Sequence, residues 1–137
     1  MTPKQIELIQ SSWNRISQDP DQAAELFYKK LFSLNPELKQ LFKPDMKGQG
    51  RKLMAMLNTA VNNLHRLESI LPIIQASGRR HIDYGVKNED YDTVAEALLW
   101  TLGEGLGHDF TEEVKLAWVD VYNLLANTMK ESSLTLA

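Results

Sequence analysis

Cysteine is absent from the chain. That excludes disulfides, thiolate nucleophiles, Cys-based zinc sites, iron–sulfur clusters held by Cys and haem attached covalently through C-x-x-C-H. Long apolar runs are missing as well, none approaching the ~20 residues that a membrane-crossing helix needs. The opening residues, MTPKQIELIQ, alternate polar and apolar where a secretory signal would be continuously apolar. Together these absences predict a cytoplasmic protein. A dominant charge is also lacking: 15 Lys and Arg against 18 Asp and Glu leave a formal charge of −3. That is too weak for a broad footprint on nucleic acid or anionic lipid. No segment alternates with period two for long enough to build a sheet, and no repeat, low-complexity tract or linker divides the chain. What remains is one domain, residues 1–137, with 43% hydrophobic residues, a length that buries roughly two-thirds of its unfolded surface.

Prolines, glycines and caps divide this chain into helices. Thr2, Pro3 and Gln5 form the pattern of an N-cap, a first-position proline and a capping-box partner. Ile6, Ile9, Trp13 and Ile16 follow at helical spacing. Asp19-Pro20 repeats the signal ahead of Ala24, Phe27, Leu31 and Phe32, and Asn35-Pro36 interrupts that run with a short turn carrying Leu38, Leu41 and Phe42. After Pro44, Gly48 and Gly50, the spacing predicts a helix from Gln49 to about His65. Pro72 is expected to open the next helix, with Gly85 just beyond its end. A further helix runs from Asp92 to Leu106, weakened near its end by Gly103 and Gly105 at about 1 kcal/mol each. Thr111-Glu112-Glu113 caps the last, which carries Val114, Trp118, Val121, Tyr122, Leu125 and Met129. The fold class is all-α.

Three histidines are the natural candidates for chemistry. His65 follows two asparagines and precedes Arg66, and His108 sits in a Gly-His-Asp turn, so both read as solvated. His81 differs, because Ile74, Ser77 and Gly78 precede it by seven, four and three residues on a small, apolar helix face. A core histidine satisfied by a backbone carbonyl explains that pattern, and so does a metal ligand. No second His or carboxylate stands three or four residues further on to complete a zinc or non-haem iron site, and Asp83 points off to another side of the helix. A metal on His81 must take its other ligands from a cofactor, and haem supplies four nitrogens.

The ordered set of features resembles the globin family over nearly the whole chain, most of all single-domain bacterial haemoglobins, the flavohaemoglobin haem domain and neuroglobin. Trp13 in LIQSSW, Pro36 and Phe42 in LFYKKLFSLNPELKQLF, His81 in GRRHIDYGV, and the segments DYDTVAEALL and LAWVDVYNLL carry the likeness. The resemblance implies a globin fold of about seven to eight helices around non-covalent haem b, with His81 as the iron ligand. It implies Tyr28 and Gln49 as distal donors, and Leu53 and Phe42 as apolar haem neighbours. Lys52 matches a propionate partner, Val86 a residue on the porphyrin edge, and Tyr91 an aromatic near the proximal histidine. A phenol and an amide can both donate to the polarised oxygen of a dioxygen ligand.

Reversible binding of O2, with CO and NO as further ligands, is the function this likeness implies. A nitric oxide dioxygenase is the enzymatic alternative, and a haem-based gas sensor a third. With the chain ending at Ala137, the flavin and nicotinamide domains of a flavohaemoglobin are not expected, so the enzymatic reading calls for a separate reductase. The resemblance also departs at one point: aligned on Tyr122, Ser133 stands where flavohaemoglobin-like haem domains carry a glutamate, and Glu131 is two residues out of register.

Overall fold

The computed structural model describes residues 2–42, 45–83 and 86–134, without the side chains of residues 81–83 and 132–134. Six α-helices run in order: α1 (Pro3–Ile16), α2 (Pro20–Leu34), α3 (Met46–Asn62), α4 (Leu67–Asp83), α5 (Asn88–Leu106) and α6 (Glu112–Leu134). Short 3-10 turns at Pro36–Leu41, Leu64–Arg66 and Gly107–Asp109 join them, and no strand occurs among the described residues. None of the described helices is long and apolar enough to cross a membrane.

The caps work as their residue types dictate. Gln5 N–H donates to Thr2 Oγ1 at 3.1 Å while Thr2 N–H donates to Gln5 Oε1 at 3.0 Å, closing a capping box. Asp19 accepts from Gln22 N–H, Asn35 from Glu37 N–H and Thr111 from Val114 N–H. At the start of α5 the carboxylate is inside the helix and reaches back, with buried Asp90 accepting from Lys87 N–H at 2.9 Å.

Three boundaries differ from the sequence expectation. α3 begins three residues earlier, because Asp45 caps it through Gly48 N–H at 3.0 Å, so both early glycines lie within the helix. α4 begins at Leu67 and holds Pro72 inside it. The preceding 3-10 turn runs straight into α4, so Pro72 falls in its second turn, where the missing N–H removes one bond rather than breaking the helix. α5 begins at Asn88. Gly85 and Pro44 lie outside the described residues.

Two tryptophans on α1 and α6 stand at the centre of the core. Trp13 and Trp118 are almost wholly buried with ring centroids 6.0 Å apart. Trp13 Nε1 donates to Asn58 Oδ1 at 3.0 Å, tying α1 to α3. Trp118 Nε1 donates to Ser12 Oγ at 2.8 Å, tying α6 to α1. Burying an indole requires a partner for its N–H, and both have one. Around this core α2 packs on α3 and α5, while α4 packs on α6. α3 and α4 follow one another in the chain yet rest on different partners, with little contact between them among the described residues.

Candidate functional site

The α2–α3 wall is an aromatic cluster built around Tyr28. Its ring stacks on Phe32 (5.9 Å between centroids, 20° between planes) and meets Phe42 edge-on at 5.3 Å, and Phe32 meets Phe42 edge-on at 5.5 Å. The Pro36–Leu41 turn is what returns Phe42 toward α2. α3 can approach because position 50 is glycine: a Cβ there would lie 2.9 Å from Ala24 Cβ on α2 and 3.9 Å from Tyr28 Cε2. Tyr28 is 9% exposed, and its hydroxyl donates to the backbone carbonyl of Gln49 at 3.4 Å, a long contact for a hydroxyl donor. Burial alone pushes its pKa up to about 12, so the phenol keeps its proton at any physiological pH.

Gln49 therefore meets Tyr28 through its backbone, and it lies within α3 rather than at the helix start. Leu53, one turn on, is half-buried beside Met54 and Leu57. With Trp13, Phe27 and Leu98 it lines a mainly apolar cavity of about 10 Å³, about the room of one water. Lys52 is exposed. Phe32, Phe42, Leu53, Leu57 and, from α5, Val94 all pack on the core while remaining partly uncovered, an apolar surface of the kind that takes a flat apolar group.

The other wall is formed by α4, the start of α5 and α6. The backbone of His81 is in the last turns of α4; its side chain lies outside the described residues. Ser77 and Gly78, one turn earlier, are buried. Val86, half-buried, precedes α5. Tyr91 is buried on α5, and its backbone carbonyl accepts a 2.6 Å hydrogen bond from the Tyr122 hydroxyl of α6. Burial raises the pKa of Tyr91; burial, then Tyr91 and Asp92, raise that of Tyr122. Lys130 Nζ sits 5.5 Å above the Tyr91 ring, within cation–π range. Ser133 is outside the described side chains, and Glu131 is exposed. His65 and His108 are both exposed, as their sequence neighbours indicate.

The sequence places Phe32 on a helix face and Gly50 at a break without a role at the site, and gives no sign of the Lys130 contact or the Tyr122 hydroxyl bond. Phe32 stands four residues after Tyr28, the one spacing that could have pointed to it. The others depend on which helices pack together.

Among the described residues no three His, Cys, Asp or Glu side chains come together to hold a metal ion. The partly uncovered apolar surface of Phe32, Phe42, Leu53, Leu57 and Val94 suits a group that presents a broad apolar face. The architecture is six α-helices in which α3 rests on α2 and α4 rests on α6. The family model for globins matches residues 25–129, and the chain belongs to the globin family. Proteins of this family bind haem and, through it, small gaseous ligands.

Relatives bracket the chain between two kinds of globin. A flavohemoprotein of Halalkalibacterium halodurans is 36% identical over 104 residues, covering 74% of this chain; the chain spans a quarter of that protein's length. A neuroglobin of Tetraodon nigroviridis is 28% identical over 143 residues, covering 94% of this chain and 90% of the relative. Among solved structures, a bacterial globin from Campylobacter jejuni superposes with a TM-score of 0.87 at 25% identity, covering 98% of each chain.

Proposed function

We propose that this globin binds dioxygen reversibly at the iron of a non-covalent haem b, with His81 as the protein ligand. The observation that supports this reading best is Tyr28. It is a buried phenol, locked in its neutral form, whose hydroxyl donates to a backbone carbonyl at the long distance of 3.4 Å. A donor held that loosely is available to an acceptor arriving beside it.

Haem supplies a ferrous iron whose open side takes a diatomic ligand. The chain's own residues set the conditions around it. Phe42 and Leu53 exclude water, and Tyr28 donates its hydroxyl proton to the ligand without giving it up. Gln49 adds an amide donor from α3, Val86 packs on the porphyrin edge, and Lys52 offers an ammonium to a propionate at the surface, where such pairs are worth little. Ser77, one helical turn before His81, offers the backbone carbonyl that orients the imidazole by accepting its Nδ1–H and leaving Nε2 for the metal.

Reversible binding is favoured over nitric oxide dioxygenation by what stands beside Tyr91. An anionic partner on that side would strengthen the histidine as a donor, and here an ammonium, Lys130, lies over the ring. Absorption spectra of the purified protein in ferric, reduced and carbonmonoxy forms test the proposal. A Soret band that shifts with each state and returns after cycles of oxygenation and deoxygenation is expected. Rapid conversion to the ferric form, with nitrate produced from nitric oxide at each turnover when a reductase is supplied, would favour the enzymatic alternative.

A further inference from the structure

α4 and α6 meet backbone to backbone at one point. A Cβ built on Gly78 would lie 2.6 Å from the carbonyl oxygen of Met129, 2.7 Å from its Cα and 3.0 Å from its carbonyl carbon. No rotamer change relieves such a contact, because all three atoms belong to the main chain of α6. Gly105 offers the instructive contrast: a Cβ there would sit 2.3 Å from Cδ1 of Ile16, the far end of a flexible side chain that can move aside. Glycine in a helix interior is locally unfavourable, so its presence in α4 trades helix propensity for this seat. His81 follows three residues later on the same helix, close to its described end at Asp83.

We infer that Gly78 is a positioning residue: its contact with Met129 sets the depth at which α4 rests on α6, and hence the distance from His81 to the iron. Returning a Cβ at position 78 to ordinary contact requires α4 to retreat by about 0.8 Å or more. A retreat of that size is large against a metal–ligand bond, and it falls on the element that carries the proposed ligand. The inference rests on His81 being the iron ligand, and its test separates the two claims.

The test compares haem-loaded wild type, Gly78→Ala, Gly105→Ala and His81→Gly, using the iron–histidine stretching band of the ferrous protein by resonance Raman and the rate of haem transfer to an acceptor apoprotein. Gly78→Ala is expected to lower the band by several wavenumbers and to quicken haem loss about tenfold or more. Gly105→Ala should leave the band in place. Adding free imidazole to His81→Gly and to the double variant Gly78→Ala/His81→Gly should give the same band in both, since an untethered ligand finds its own distance. A Gly78→Ala protein with the wild-type band and haem-transfer rate would overturn the positioning role, as would one that fails to fold. Wild-type haem content in His81→Gly without imidazole would instead overturn the ligand assignment.

Discussion

Tyr28 and Tyr122 are both largely buried phenols, both with pKa raised chiefly by burial, and both donating to a main-chain carbonyl. They differ in how firmly they do so. Tyr122 reaches the carbonyl of Tyr91 at 2.6 Å and pins the start of α5 to α6, whereas Tyr28 reaches that of Gln49 at 3.4 Å from inside an aromatic cluster. A short bond between two helices is a structural tie; a long one leaves the donor able to exchange partners. The same side chain, largely withdrawn from water in both places, can thus serve the fold at one wall and a proposed ligand at the other.

The largest effect is expected outside the pair, at His81, the proposed iron ligand. His81→Ala should lose most of its haem, read as the ratio of Soret to protein absorbance after purification; wild-type haem content would remove His81 from the iron. Next comes alkaline pH. A tyrosine whose folded pKa is raised stabilises the fold fully below the unfolded value near 10 and loses that contribution as pH rises through the folded one. For Tyr28 the window is pH 10 to about 12, and the loss is on the order of 2–3 kcal/mol; Tyr122 extends it upward. Urea midpoints across that window should fall in wild type and fall less in Tyr28→Phe.

Removing each hydroxyl sharpens the contrast. Tyr122→Phe removes the short tie between α5 and α6 and should cost about 1–1.5 kcal/mol by urea denaturation. Tyr28→Phe keeps the ring contacts and gives up only a long bond, so it should cost about 0.5 kcal/mol or less by the same measurement. Equal losses would mean that both hydroxyls are structural.

Local rules in the sequence account for the helices more completely than for the walls between them. The caps at Thr2, Asp19, Asn35 and Thr111 are visible because residue type and a three-residue offset suffice to make them. Asp45 follows the same rule but was hidden by Gly48 and Gly50, which read as breakers although one donates to the cap and the other admits α2. Pro72 misleads in the same way, since a proline early in a helix removes only one bond. His81, Tyr28 and Gln49 were reached through the ordered likeness to globins. The Tyr122–Tyr91 tie and the seat of Gly78 on Met129 depend on α6 crossing two other helices, and no offset along the chain encodes that crossing.

The measurement that bears most directly on the division of labour between the two tyrosines is stopped-flow release of dioxygen and carbon monoxide from wild type, Tyr28→Phe and Tyr122→Phe. Dioxygen acquires negative charge on the iron and carbon monoxide stays nearly apolar, so a hydrogen-bond donor discriminates between them. A bond to a charged acceptor contributes about 1.5–3 kcal/mol, equivalent to roughly 10–150-fold slower release. The account predicts dioxygen release faster by that factor in Tyr28→Phe, carbon monoxide release changed far less, and both gases close to wild type in Tyr122→Phe. Equal acceleration of both gases in Tyr28→Phe, or no change in either, would contradict it.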